Sequence, residues 1–161
     1  MITKNEIKSL LHYQPETGLF TCISKRRGSK IGDIVGYLRK DGYLQINILG
    51  RSYASHRLAW LYMFGEFPKN DIDHIDGCKT NNRICNLRDV TRAQNHQNHR
   101  TAHKDNANGY LGVHFYKKKN KYGSRIFIGG KDIWLGYFDT PQTAHEAYLN
   151  AKRNLHEFST I

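Results

Sequence analysis

The pattern of apolar and polar positions over the first half of the chain predicts short strands and helices. A helix is predicted over residues 4–12, and strands are predicted over residues 19–24 and 43–49. Polar and apolar side chains alternate at residues 45–48, as they do in a half-buried strand. The glycine-containing turn KDGY at residues 40–43 separates the two strands.

A second helix is predicted within SHRLAWLYMFGEFP, residues 55–68. Leu58, Leu61 and Tyr62 recur there at helical spacing, and the glycine and proline of GEFP end the helix. The block that follows, DHIDGCKTNNRICNLRDVTRAQNHQNHR at residues 73–100, is rich in histidine and asparagine and poor in large apolar side chains. Burial alone does not explain such a composition.

The pattern changes after a polar stretch without periodicity at residues 101–108. Three strand-like runs, GYLGVHFY, GSRIFIGG and KDIWLGYF, are separated by turn residues and precede a helix in TPQTAHEAYLNAKRNLH. Thr140 is a suitable N-cap for that helix, and Pro141 takes its first position, where a missing N–H costs nothing. Three strands and one helix in this order predict a small sheet with one covered face.

The net charge of the chain indicates the class of binding partner. The formal charge is +11, with +7 in residues 1–100 and +4 in residues 101–161, and both tryptophans and ten tyrosines accompany it. A field of one sign over both halves favours a long polyanion, and nucleic acid is the first candidate. The alternative is a surface charge that only keeps the protein in solution.

Other classes of protein are excluded. No apolar run approaches the roughly 18 residues of a membrane span, and MITKNEIKSLLHY lacks the apolar core and cleavage site of a signal peptide. Three cysteines, an odd number without metal-binding spacing, favour reduced thiols. We therefore expect a cytoplasmic protein, in the host cytoplasm if a phage encodes it.

The pair Asp73-His74 fits the hydrolysis of a phosphodiester bond. This reaction needs a base to take a proton from water, and a histidine with its usual pKa of about 6.5 serves as that base at pH 7. A magnesium ion prefers oxygen ligands and often takes only one or two from the protein. Adjacent residues of a strand point to opposite faces, so Asp73 and His74 can serve different partners. Asparagine side chains are abundant nearby as a second oxygen ligand.

Three segments resemble the HNH (His-Me finger, ββα-metal) nuclease motif of phage and intron-encoded homing endonucleases: HRLAW at 56–60, DHIDGCKTNNRICNLR at 73–88 and AQNHQN at 93–98. The resemblance implies that His74 and Asn86 are the catalytic residues, with His74 as the general base and Asn86 as the residue that braces the loop. It also implies that Asp73 and Asn95 bind Mg²⁺ or Mn²⁺. His56 recurs in this subgroup without an assigned role.

Alternative interpretations exist for this block. The remaining asparagines are interpreted as turn and phosphate-facing residues: Asn81, Asn82 and Asn98. A zinc site is the alternative for the histidines and cysteines, without a CxxC pair to anchor it: His96, His99, His103, Cys78 and Cys85.

The C-terminal residues resemble the Apetala2/ethylene-response-factor DNA-binding domain, through GYLGV at 109–113 and IWLGYFDTPQTAHEAY at 133–148. In that family the sheet enters the major groove of double-stranded DNA, where a β surface fits. Leu111 and His114 replace the arginines of the family's first strand, so its target sequence is not carried over. The alternative for Trp134 is an aromatic side chain that is buried in the core. The candidate DNA contacts are His114, Tyr116, Lys117, Lys118, Lys119, Arg125 and Trp134.

Together these observations predict an α+β protein in which a mixed N-terminal region with a ββα-metal motif precedes a three-stranded antiparallel sheet packed on one helix. The predicted segments are a strand-rich region (1–54), the HNH motif (55–100), a linker (101–108) and the DNA-binding domain (109–161). The predicted activity is metal-dependent cleavage of double-stranded DNA without a small-molecule cofactor. A protein with a single catalytic motif would nick one strand as a monomer, and would cut both strands only as a dimer or in two successive steps. The alternative function is a DNA-binding regulator that does not cut.

Overall fold

The structure, a computed structural model, describes residues 1–25, 28–102, 106 and 108–160. It is an α+β fold, as predicted, with four α-helices and eleven strands in those residues. The chain forms two compact units, Met1–Arg92 and Ala93–Ile161. Within the described residues, no helix has the length and apolar character needed to cross a membrane.

The first unit consists of short elements arranged in three small antiparallel sheets. In chain order they are α1 (Lys4–Leu10), β1 (Leu11–Gln14), β2 (Leu19–Cys22), β3 (Ile34–Val35), β4 (Tyr37–Leu38), β5 (Leu44–Ile48), β6 (Arg51–Ala54), α2 (Ser55–Phe64), β7 (Asp71–His74) and β8 (Leu87–Val90). The sheets have the orders β1-β2-β3, β4-β5-β6 and β7-β8. A 3₁₀ turn at Ile84–Asn86 leads into β8.

Helix α1 is shorter than the predicted helix over residues 4–12. Its start is fixed by a capping box, in which Thr3 and Glu6 satisfy each other's backbone N–H groups. It ends at Leu10 because Leu11 and Tyr13 are buried while the residues between and after them are exposed. This alternation with period two belongs to a strand, and pairing with β2 outweighs the helical pattern.

Helix α2 ends as predicted. Gly65 follows it in the left-handed conformation, with φ 92°, and its N–H donates to the carbonyl of Leu61. Leu58, Ala59 and Leu61 face the core of the unit. That core combines side chains from the N-terminal region, α2 and the β7–β8 hairpin: Ile2, Ile7, Leu11, Tyr13, Phe20, Cys22, Ile46, Ile48, Leu58, Ala59, Leu61, Ile72 and Leu87. The hairpin therefore has no core of its own.

The turn between β1 and β2 packs directly on the loop between β7 and β8. Gly18 lies there with φ +75°, and a Cβ atom at this position would stand 2.4 Å from the carbonyl carbon of Asn82 and 2.5 Å from the nitrogen of Arg83. Only glycine fits this approach without a backbone shift. The turn thus holds the loop from one side.

The second unit contains the predicted sheet and helix. Helix α3 (Arg92–Gln97), which begins at the last residue of the first unit, is followed by β9 (Val113–Tyr116), β10 (Lys121–Ile128), β11 (Lys131–Phe138) and α4 (Pro141–Leu155). The sheet is antiparallel, in the order β11-β10-β9, and α4 packs against it. Thr140 caps α4 by accepting from the N–H of Thr143 at 3.2 Å, as predicted.

Lys152 occupies a core position of α4 and is fully buried. Its ammonium group donates to the carbonyl oxygen of His99, which satisfies one of its donors. Burial, with a contribution from Arg100, lowers the pKa of Lys152 to about 8. The lysine therefore fastens α4 to the segment that follows α3.

We expect Gly18→Ala to destabilise the protein more than Gly50→Ala. Gly50 has nearly the same backbone, with φ +73°, but a Cβ atom added there would have no atom of the described residues within 4 Å. The strain of a left-handed alanine, about 1 kcal/mol, is common to both variants. The clash with residues 82–83 should add roughly 1–3 kcal/mol at Gly18. Urea unfolding of both variants measures the difference, and equal losses would show that the turn does not press on the loop.

Candidate functional site

Asp73 forms an ion pair across the β7–β8 hairpin. The register places it opposite Arg88, and its Oδ2 accepts from Nη2 of Arg88 at 2.6 Å and from Nε at 2.8 Å. The Asp73 side chain is largely buried, whereas that of Arg88 is half-buried. Such a pair, with two bonds from one guanidinium, fixes the direction of the carboxylate.

His74 ends strand β7 and is buried. Its Nε2 lies 3.1 Å from Oδ1 of Asn82, and its ring centroid lies 5.8 Å from that of Tyr43 and 5.2 Å from that of His56. Burial lowers the pKa of His74, although the hydrogen bond with Asn82 and the nearby carboxylates act in the opposite direction. The imidazole is therefore neutral at pH 7 and able to accept a proton.

His56, in the first turn of α2, completes an aromatic group with Tyr43 and His74. Its ring centroid is 5.2 Å from each of theirs. Its Nδ1 is shielded from solvent and has no hydrogen-bond partner among the described residues. Burial, followed by the charges of His74 and Arg57, lowers the pKa of His56 to about 3. His56 thus acts as a neutral ring that covers one edge of His74.

Asn86 holds the loop between β7 and β8 closed. Its Oδ1 accepts from the N–H of Asp76 at 3.0 Å, and its Nδ2 donates to Oδ1 of Asp76 at 2.9 Å and to the carbonyl of Asn81 at 2.8 Å. The other carboxylate oxygen of Asp76 accepts from Nδ2 of Asn81 at 2.6 Å. These are contacts that a bracing residue makes, and a catalytic part for Asn86 stays a prediction.

Asn82 is the residue that the sequence interpretation missed. It is 1% exposed rather than phosphate-facing, and its side chain lies against His74. Its carbonyl accepts from the hydroxyl of Tyr13 at 2.6 Å. The sequence offers no signal that separates Asn82 from its neighbour Asn81, because the difference arises from contacts with distant segments.

Asn95 lies on α3 in the second unit and is half-buried. Its predicted role as a metal ligand together with Asp73 stays a prediction. The residues after it are tied to the end of the chain. Oδ1 of Asn98 accepts from Oγ1 of Thr160 at 2.7 Å, and Oε1 of Gln97 accepts from the N–H of Phe158 at 3.2 Å. Asn98 is buried by these contacts, so its interpretation as a phosphate-facing residue was wrong.

The zinc alternative finds no support in the part of the chain that the structure describes. No group of three or more His, Cys, Asp and Glu side chains is placed there to hold a metal ion. The rings of His96 and His99 do approach each other, with centroids 4.8 Å apart, but Cys78 and Cys85 are exposed thiols of the other unit. His103 lies outside the described residues.

The sheet of the second unit presents an open face opposite α4, which we call the aromatic face: His114, Tyr116, Arg125, Trp134 and Tyr137. The ring centroids of Tyr116, Trp134 and Tyr137 lie 4.7–5.6 Å apart in edge-to-face contacts. Trp134 is 45% exposed, which excludes the alternative of a core aromatic. Gly123 lies beneath Trp134 and Tyr116, where a Cβ atom would stand 2.4 Å and 2.5 Å from their rings.

Positive charge borders the aromatic face. Arg125 donates from Nε to Nε2 of His114 at 3.3 Å and pairs with Asp132 at 3.3 Å. Lys119 holds its ammonium 4.1 Å from the ring centroid of Tyr137. Lys117 and Lys118 are exposed in the same 3₁₀ turn. The structure thus brings the seven predicted contact residues to one face and its adjoining turn.

Comparison with known proteins gives one family match. Residues 53–97 match the family described as HNH endonuclease, which includes α2, the β7–β8 hairpin and α3. The match supports a nuclease that acts on DNA. Neither the curated proteins nor the solved structures gave a match to the chain.

We expect Asn86→Ala to lower the free energy of unfolding by about 2–4 kcal/mol, because it removes the three hydrogen bonds of a buried side chain. Asn70→Ala is the matched control, since Asn70 is exposed beside β7 and a surface change of this kind stays within about 0.5 kcal/mol. Urea unfolding at pH 7 compares the two. A loss at Asn86 no larger than at Asn70 would contradict the bracing contacts.

Proposed function

We propose that the protein is a metal-dependent DNA endonuclease that hydrolyses phosphodiester bonds, of the homing type that phages and mobile introns encode. The observation that carries the proposal is the buried, neutral imidazole of His74, beside Asp73, within the segment that matches the HNH endonucleases. A buried histidine with a lowered pKa in such a cluster is a candidate general base.

In the proposed reaction His74 accepts a proton from the water that attacks the phosphate. Tyr43 and His56 exclude bulk solvent from two sides of its ring. Asn86 keeps the loop closed, so the imidazole does not have to be ordered during the reaction. The chain's part in catalysis is therefore to hold one proton acceptor in a fixed direction.

Asp73 and Asn95 are the proposed ligands of Mg²⁺ or Mn²⁺. Their oxygen donors fit a hard divalent cation, which completes its coordination with water and phosphate. When bound, the cation supplies positive charge to the phosphate and the leaving oxygen. Arg88 already binds the Asp73 carboxylate, so it fixes the direction of this ligand. The negative charge of Asp73 would then be shared between Arg88 and the cation.

The second unit is the proposed reader of double-stranded DNA, in the manner of an Apetala2-like domain. The aromatic face, which includes Arg125, is open and lies beside three lysines. Phosphate contacts from the lysines position the protein, whereas Arg125 and Trp134 reach the base edges. A β surface of this size fits the major groove.

A regulator that binds DNA without cutting is the second candidate. The Asp73–Arg88 ion pair favours it, because a carboxylate neutralised by arginine also suits a purely structural hairpin. Supercoiled plasmid separates the two functions. A nuclease converts it to relaxed or linear DNA when Mg²⁺ or Mn²⁺ is present, and a regulator binds it and leaves it intact under every condition.

We expect His74→Ala to reduce plasmid cleavage by at least about 100-fold, because the base that accepts the proton is lost. DNA affinity should change little. His12→Ala is the control, since His12 is exposed on β1 and should leave the cleavage rate unchanged. Asp73→Ala should also fail to cut, through loss of the cation. A cleavage rate near that of the wild type in His74→Ala would refute the assigned base.

Two substitutions on the second unit should have different effects on DNA affinity. Lys118→Gln should flatten the dependence of log affinity on log salt by roughly 0.9, because one phosphate contact is lost. Trp134→Ala should lower the affinity and leave that slope unchanged. Lys131→Gln is the control, since Lys131 pairs with Ile128 and alternates away from the aromatic face. A salt titration of binding measures the affinity and the salt slope of all three variants. If Lys131→Gln flattens the slope as much as Lys118→Gln does, the lysine acts through general positive charge and not through one phosphate contact.

A further inference from the structure

The side chain of Asn82 is buried at the base of the loop, in contact with the imidazole of His74. The residue is 1% exposed, and its Oδ1 lies 3.1 Å from Nε2 of His74. Nothing in the reaction proposed above uses this amide. The buried contact between Asn82 and the candidate base therefore has no assigned role.

The backbone of Asn82 is fixed by the N-terminal hairpin. Its carbonyl accepts from the hydroxyl of Tyr13, and its carbonyl carbon lies within contact distance of Gly18. Tyr13 is itself immobilised, with its ring centroid 4.8 Å from that of Phe20 and 5.7 Å from that of Tyr62. The side-chain amide of Asn82, which contacts His74, is thus attached to a backbone that is held in place.

A neutral imidazole carries one proton, on one of its two nitrogens. An amide oxygen only accepts hydrogen bonds, so the nitrogen that faces it must be the protonated one. With Oδ1 of Asn82 at Nε2, the proton of neutral His74 resides on Nε2 and the lone pair on Nδ1. Tyr43 and His56 pack against the same ring, with centroids 5.8 Å and 5.2 Å from that of His74.

We propose that Asn82 is a positioning residue that holds His74 as the Nε2–H tautomer and so makes Nδ1 the atom that accepts the proton from water. The proposal rests on the function proposed above. It assigns the side chain of Asn82 to the orientation of the base, and assigns Tyr13 and Gly18 to the support of Asn82.

The unsatisfied nitrogen of Asn82 agrees with this role. Nδ2 is buried and has no hydrogen-bond partner among the described residues. An unsatisfied buried donor is rare in folded proteins and costs stability, and such groups call for a functional reason. An apolar residue of similar size would fill the same space without this cost.

The test uses the full chain with ¹⁵N-labelled histidine, at a pH where His74 is neutral. Long-range ¹H–¹⁵N correlation spectra distinguish the two tautomers by the chemical shifts of the ring nitrogens. We expect the Nε2–H form in the wild type, a mixture of both forms in Asn82→Ala, and the Nε2–H form again in Asn82→Asp, which retains an acceptor oxygen. Plasmid cleavage with Mg²⁺ should fall by roughly 10- to 100-fold in Asn82→Ala, with partial recovery in Asn82→Asp.

Asn81→Ala is the matched control, because Asn81 lies in the same loop and donates to Asp76 instead of His74. It should retain the Nε2–H tautomer. An Nδ1–H form in the wild type, or an unchanged tautomer and rate in Asn82→Ala, would overturn the proposal. If Asn82→Ala does not fold, the wild type and Asn82→Asp decide. An Nδ1–H form in the wild type would show that the amide nitrogen faces His74, and loss of the Nε2–H form in Asn82→Asp would show that an acceptor oxygen at residue 82 does not set the tautomer.

The two proposals fail in different ways. A wild type that does not cut DNA, but whose His74 tautomer changes in Asn82→Ala, would remove the nuclease function and retain the positioning contact. A wild type that cuts DNA with His74 in the Nδ1–H form would retain the nuclease and remove the positioning role of Asn82.

Discussion

The contact between the β1–β2 turn and residues 82–83 supports the candidate site in the first unit. The loop between β7 and β8 is polar and exposes most of its side chains, so it gains little from apolar burial. Its shape depends on hydrogen bonds from Asn86 and on the hydroxyl of Tyr13, which reaches across 69 residues of sequence. Because Gly18 lacks a side chain, the turn comes close enough to hold this loop against His74.

Burial of polar groups is the main energetic cost of this arrangement. Asp73, His74, Asn82 and Asn86 are all buried, and each loses hydration on folding. Their contacts with one another and with Arg88 offset that loss. Within the first unit, as far as its residues are described, the offset is incomplete at Nδ2 of Asn82 and Nδ1 of His56, and both residues contact the imidazole of His74. Two unsatisfied buried nitrogens thus lie beside the group to which the chemistry is assigned.

The sequence predicted the elements whose determinants are local. Helix α2 with its glycine stop, and α4 with Thr140 as cap and Pro141 in its first turn, follow from residues within a few positions of each other. The end of α1 was predicted wrongly because the pairing partner that makes Leu11–Gln14 a strand lies elsewhere. The HNH segment was identified by its resemblance to that motif and is supported by the family match. The burial of Asn82 was not predictable, since Tyr13 and Gly18 create it from a distant part of the chain.

The aromatic face shows the same dependence on a missing side chain. Tyr116 and Trp134 meet over Gly123, and a larger residue there would push both rings away from the sheet. Edge-to-face contacts with Tyr137 then restrain the rings although each is partly exposed. Rings that are already ordered lose little conformational entropy when they contact a ligand. Gly123 therefore lets the rings of Trp134 and Tyr116 pack closely on the sheet, as Gly18 lets the β1–β2 turn pack closely on the loop at His74. In both places a close approach to the backbone, and not a large apolar core, makes the surface rigid.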